Sequence, residues 1–82
     1  MGGFHYVYIL RSVHNPDRHY TGFTEDLQLR LRYHNAGRVP HSAKHLPWQI
    51  KTAIAFKDRQ QALAFERYLK SASGRAFAKR HL

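Results

Sequence analysis

A chain of 82 residues with no cysteine has to be held together by side-chain packing alone. Disulfides, thiolate nucleophiles and cysteine-type zinc sites are all excluded, and with them several of the usual supports of very small domains. A chain this short buries only about 60–65% of its unfolded surface on folding, so the core is economical and there is room for one domain, residues 1–82. Apolar residues make up 43% of the chain and aromatic residues 13%, more than disorder tolerates. One folded, soluble domain is expected.

The periodicity supplies its elements. From Phe4 to Leu10 every residue except His5 is apolar or aromatic, as in a buried strand. Val13-His14-Asn15-Pro16-Asp17 carries turn chemistry, which predicts a hairpin with a second strand over Arg18 to Phe23. Thr24 is placed to cap a helix from Glu25 to Asn35, with Glu25 and Asp26 at the positive end of its dipole and Asn35-Ala36-Gly37 as the stop. The two-proline segment Arg38 to Trp48 reads as a loop with at most a short helical turn, and its Ser42 and Lys44 are candidates to touch phosphate. Ile50, Thr52, Ile54 and Phe56 alternate with Lys51, Ala53, Ala55 and Lys57, predicting a third strand with those four on its better-buried face. Asp58 then opens a second helix running to about Ser71, Gly74 is expected to break it, and the tail Arg75–His81 suits a last short helix that packs Phe77 and displays cations. The class is α+β: a small three-stranded, mainly antiparallel sheet flanked by helices, in the order β-β-α-β-α(-α).

Fourteen Lys and Arg against 5 Asp and Glu give a formal charge of +9, which favours polyanionic partners and makes nucleic acid the leading class. No stretch approaches the roughly 20 apolar residues that span a bilayer, so no membrane partner is expected. The start Met1-Gly2-Gly3-Phe4 lacks the basic and apolar run of a signal peptide, so a cytoplasmic chain is expected.

Some residues sit where a plain amphipathic pattern would not put them. Leu27, Arg30, Leu31 and His34 share one face of the first helix, because they stand at i, i+3, i+4 and i+7. Arg30 and His34 either lay their stems along the core with polar ends in water, or form a cationic pair aimed into a cleft. Glu66 shares the arc of Ala62, Phe65, Leu69 and Ser73, so its carboxylate needs hydrogen bonds, a salt bridge to Arg, or a divalent ion. Tyr6, Tyr8 and Tyr20 are either core residues with satisfied hydroxyls or part of the same constellation.

Tyr6-Val7-Tyr8 and Tyr20-Thr21-Gly22 on neighbouring strands, followed by Gly22-Phe23-Thr24-Glu25-Asp26-Leu27, Arg30-Leu31, His34-Asn35-Ala36-Gly37 and Glu66-Arg67-Tyr68-Leu69-Lys70, make the chain resemble the compact, stand-alone branch of the GIY-YIG nuclease superfamily. It is also similar to the N-terminal catalytic module of the bacterial excision-repair endonuclease, although Phe23 replaces a lysine of that module. The resemblance implies a metal-dependent endonuclease that hydrolyses phosphodiester bonds, DNA above all, in repair or processing, with one Mg²⁺ or Mn²⁺. It makes Glu66 the metal ligand, Tyr20 the residue that activates or orients water, Tyr8 a positioner of water or phosphate, and Arg30 a clamp on the scissile phosphate. His34 relays a proton or touches phosphate. The cation absent at Phe23 is expected from Arg32, Lys44 or Lys70. A single metal site implies one cut per visit, so a homodimer or a partner that supplies specificity is implied as well. A non-catalytic nucleic-acid-binding module with the same fold is the alternative, and an interaction domain docking through Trp48 and the Arg38–Pro47 loop is a third.

Overall fold

The computed structural model describes residues 3–82. Strands β1 (His5–Ser12) and β2 (His19–Thr24) form the hairpin. Helix α1 (Leu27–Asn35), a short 3-10 helix (Pro40–His45), β3 (Trp48–Phe56), α2 (Arg59–Leu69) and α3 (Ala72–His81) follow. The α+β class and the order β-β-α-β-α-α are those predicted. The strands lie in the order β2-β1-β3 with both pairings antiparallel.

β1 is central because all of Val7, Tyr8, Ile9 and Leu10 can be buried, each side of the strand feeding a separate core. Val7 and Ile9 pack with Ala62 and Leu69, flanked by Phe23, Phe56, Phe65, Ala78 and Leu82, so α2 and α3 cover that face. Tyr8 and Leu10 point the opposite way and pack with Trp48, against Tyr20, Leu27, Leu31 and Leu46, so α1 covers the other. Trp48 therefore belongs to the core. It opens β3 at 4% exposure rather than offering a docking contact in the loop.

Three local expectations are corrected. α1 begins at Leu27, not Glu25, and its cap is Asp26, whose carboxylate accepts from Leu29 N at 3.1 Å. Thr24 is occupied one step earlier, its Oγ1 accepting from Asp26 N at 3.1 Å. A carboxylate at the positive end of the helix is the better cap. Gly74 does not break a helix; it lies buried in the first turn of α3, where a Cβ would stand 2.5 Å from the Tyr68 carbonyl carbon. The break falls at Lys70-Ser71, because Ser71 Oγ accepts from Gly74 N at 3.1 Å and starts α3 as its N-cap. Ser73 consequently belongs to α3, not to the arc of Glu66.

The third correction concerns β3. Ile9 pairs with Thr52 but Leu10 with Ile50, so Lys51 is an extra residue in the ladder, a β-bulge. A bulge shifts side-chain alternation by one. Thr52, Ile54 and Phe56 stay on the α2 face, while Ile50 pairs on the other face and is 38% exposed.

Candidate active site

The hairpin register puts Tyr8 directly opposite Gly22. A Cβ on Gly22 would overlap the Tyr8 hydroxyl and stand 2.5 Å from its Cζ. Gly22 is thus the seat on which the Tyr8 ring lies, and Tyr8 is 2% exposed there. Tyr20, two residues before Gly22 on the same strand face, stacks on Tyr8 with ring centroids 6.4 Å apart and 26° between planes.

α1 completes the cluster. Leu27 and Leu31 anchor its apolar side, and Arg30 and His34, one turn apart, meet the tyrosines. Arg30 Nε donates to Tyr8 Oη at 3.3 Å, and Tyr8 Oη lies 3.0 Å from His34 Nε2. The His34 ring meets Tyr20 edge-on at 4.6 Å. Its other nitrogen, Nδ1, is 2.7 Å from Ser42 Oγ, which in turn donates to Val39 O at 3.2 Å. His34 and Ser42 are both fully buried.

The electrostatics follow from this packing. Burial pushes the Tyr8 phenol above its ordinary range, against the hydrogen bond and charge of Arg30; the charges of Tyr20 and Glu66 push the same way as burial. Glu66 therefore acts on the same cluster from α2. Arg30 is held above its ordinary value, chiefly by its hydrogen bond to Tyr8. Burial, and then the charge of Arg30, push His34 down to about 4, so its ring is neutral at neutral pH. Neither open reading of the pair holds as stated: His34 is fully buried and its ring neutral, beside one cation, Arg30.

Glu66 is only partly buried, with 20% of its side chain exposed, and its carboxylate takes Lys70 Nζ at 3.1 Å. The charge partner is Lys70, one turn on, rather than an arginine. No group of three or more His, Asp or Glu able to hold a metal occurs among the described residues. Any ion on Glu66 would have one protein carboxylate and otherwise water or substrate oxygens, a donor set that suits Mg²⁺ or Mn²⁺ and not zinc.

Tyr20 and Lys70 also line a cleft of about 720 Å³ between the sheet and the α2–α3 pair. Ile9, Leu69 and Ala78 give it an apolar floor, and Lys51, Arg75 and Lys79 add cations around it. The bulge is what aims Lys51 there. The sequence carries no signal for these three cations, since Lys51 reads as the outward residue of a regular strand, and Arg75 and Lys79 as general display on the tail.

The remaining candidates are not placed to meet phosphate in the cleft. Ser42 is fully enclosed with its hydroxyl occupied, so no phosphate reaches it. The same enclosure denies His34 a phosphate contact. Arg32 is exposed two residues after Arg30, on the opposite side of α1, and Lys44 is exposed on the 3-10 helix. Asn35 reads in sequence only as part of a helix stop, yet its Oδ1 accepts from Trp48 N at 2.6 Å and its Nδ2 donates to Trp48 O at 3.1 Å, closing the loop that carries Ser42.

Two stacked hairpin tyrosines, a glycine seat, an arginine and histidine one turn apart and a carboxylate from a later helix are carried on a fold of the nuclease type. The family model of the GIY-YIG catalytic domain matches residues 4–80, and the chain belongs to that family. Within it the chain is similar to compact UPF0213 proteins, at 36% identity over 72 residues to that of Haloquadratum walsbyi, covering 87% of this chain and 79% of the relative. The solution NMR structure of the UPF0213 protein from Bacillus halodurans superposes with a TM-score of 0.56 at 28% identity, covering 94% of this chain and 83% of that one. Structure-specific endonuclease subunit SLX1 of Candida dubliniensis is 37% identical over 76 residues, 84% of this chain but 27% of that protein. Among the described residues no helix is long and apolar enough to cross a membrane.

Proposed function

We propose that the chain is a metal-dependent endonuclease that hydrolyses nucleic-acid phosphodiester bonds, with DNA as its substrate. The observation that carries this reading is the convergence of Tyr8, Tyr20 and Arg30 in one contact cluster, under the field of Glu66 and beside a cleft lined by cations.

Each residue has a distinct role. Tyr8 anchors Arg30 through Nε, which leaves the terminal nitrogens of the guanidinium for the scissile phosphate and the negative charge it develops. Tyr20 is half-buried, so its hydroxyl can hydrogen-bond and orient the attacking water. Glu66 would hold Mg²⁺ or Mn²⁺ with waters and phosphate oxygens as the other ligands. When bound, that ion supplies polarisation of the phosphate and stabilisation of the departing oxygen. Lys51, Lys70, Arg75 and Lys79 receive flanking phosphates along the cleft, where Asp17 is the only acidic residue. The likeness to a structure-specific endonuclease subunit supports choice of substrate by shape rather than base sequence.

The test is cleavage of labelled duplex, single-stranded and branched DNA, and of RNA, with Mg²⁺, Mn²⁺ or EDTA. Wild type should cut DNA only with metal, and folded Tyr20→Phe, Arg30→Ala and Glu66→Ala variants should lose the activity. Salt-sensitive DNA binding without any cutting would instead make the chain a binding module.

A further inference from the structure

We propose that Ser42 is a positioning residue: it fixes the tautomer of His34, and thereby the direction of the Tyr8–His34 hydrogen bond that orients the phenol holding Arg30.

The direction originates at Val39. Its carbonyl accepts the Ser42 hydroxyl proton at 3.2 Å, so Ser42 Oγ turns lone pairs towards His34 Nδ1, 2.7 Å away. An imidazole flanked in this way carries its proton on Nδ1 and leaves Nε2 as an acceptor. Tyr8, 3.0 Å from Nε2, then donates its proton to His34 and offers oxygen to Arg30 Nε at 3.3 Å. Every bond in the chain Arg30, Tyr8, His34, Ser42, Val39 runs in the same direction, and it ends on a backbone carbonyl that cannot reverse.

The opposite tautomer would set two donors, His34 Nε2–H and Arg30 Nε–H, on one phenol oxygen and turn the Tyr8 proton towards the guanidinium. The arginine would lose its fixed aim. The surroundings also hold Ser42 in place, because Trp48 Nε1 donates to Ser42 O at 2.8 Å, and Asn35, next to His34, grips the Trp48 backbone. No solvent reaches His34 or Ser42 to offer another partner.

The catalytic consequence rests on the hydrolase reading above; the tautomer itself does not. Nitrogen-15 spectra of the histidine rings at neutral pH read the tautomer directly, with His34 assigned by its disappearance in His34→Gln. The expected wild-type result is a protonated, pyrrole-type Nδ1 and a lone-pair, pyridine-type Nε2. Ser42→Ala should abolish that signature and lower kcat on the order of tenfold with KM little changed, whereas Ser42→Thr should restore both. A wild-type ring protonated on Nε2 overturns the proposal, and so does a Ser42→Ala protein that keeps the Nδ1–H signature. If the wild-type signature is found and Ser42→Ala abolishes it while no nucleic acid is cleaved, the tautomer lock stands and the hydrolase reading falls.

Discussion

Gly22→Ala tests whether the site depends on the seat beneath Tyr8. The new Cβ would stand 2.5 Å from Tyr8 Cζ and 3.0 Å from Cε1, whereas ordinary contact needs about 3.4–4 Å. The ring must therefore retreat by roughly 1 Å, and at 2% exposure it has no free space to retreat into. Such overpacking costs about 1–3 kcal/mol, and stretching the Tyr8 bonds to His34 and Arg30 adds about 1 kcal/mol. A total of about 2–4 kcal/mol lowers the melting temperature of a domain this size by roughly 8–30 °C. A misplacement of about 1 Å costs on the order of a hundredfold in rate, so cleavage should fall by that factor. Thermal denaturation of Gly22→Ala, Tyr8→Ala and the double variant closes the cycle: the alanine at 22 should cost little once the ring is gone. A Gly22→Ala protein within about 0.5 kcal/mol of wild type, or one whose cost persists in the Tyr8→Ala background, would refute the steric argument.

His34 has a pKa near 4 when folded against 6.5 when unfolded, so its contribution is complete above about 6.5 and is lost as pH falls towards 4. Urea unfolding should show about 3 kcal/mol lost across that window, flattened in His34→Gln; an unchanged slope in the variant would contradict it. Glu66→Gln should abolish metal-dependent cleavage while shifting stability by less than about 1 kcal/mol, because its partner Lys70 is largely solvent-exposed; a large loss of stability would mark Glu66 as structural. Arg75→Ala with Lys79→Ala should reduce the dependence of log K for DNA on log salt by roughly 1–2, and an unchanged slope would place the strand elsewhere. Gly74→Ala should melt well below wild type by calorimetry, because its Cβ would stand 2.6 Å from Leu69 Cα, a backbone atom that cannot step aside.

The hairpin, helices α1 and α2 and the apolar face of α1 are legible in the sequence because each depends on local patterns of a few residues. Arg30 and Glu66 stand out as departures from such patterns, Tyr8 and Tyr20 fit them, and the family resemblance gives all four roles. What stays hidden depends on contacts that no local repeat encodes. The bulge at Lys51 follows from how β3 fits β1, which is a register choice between segments some forty residues apart. The same applies to Ser42. Its serine differs in no local way from a solvent-facing one, and only the closure of the loop by Asn35 and Trp48 carries it to His34. Arg30 can only donate to Tyr8, but the identities of Tyr8 and His34 leave the direction of the bond between them undecided, because tyrosine and neutral histidine each donate and accept. That direction is set by the one group in the chain that can only accept, the Val39 carbonyl. A backbone atom outside every recognised motif therefore orients the side chains that the motifs supply.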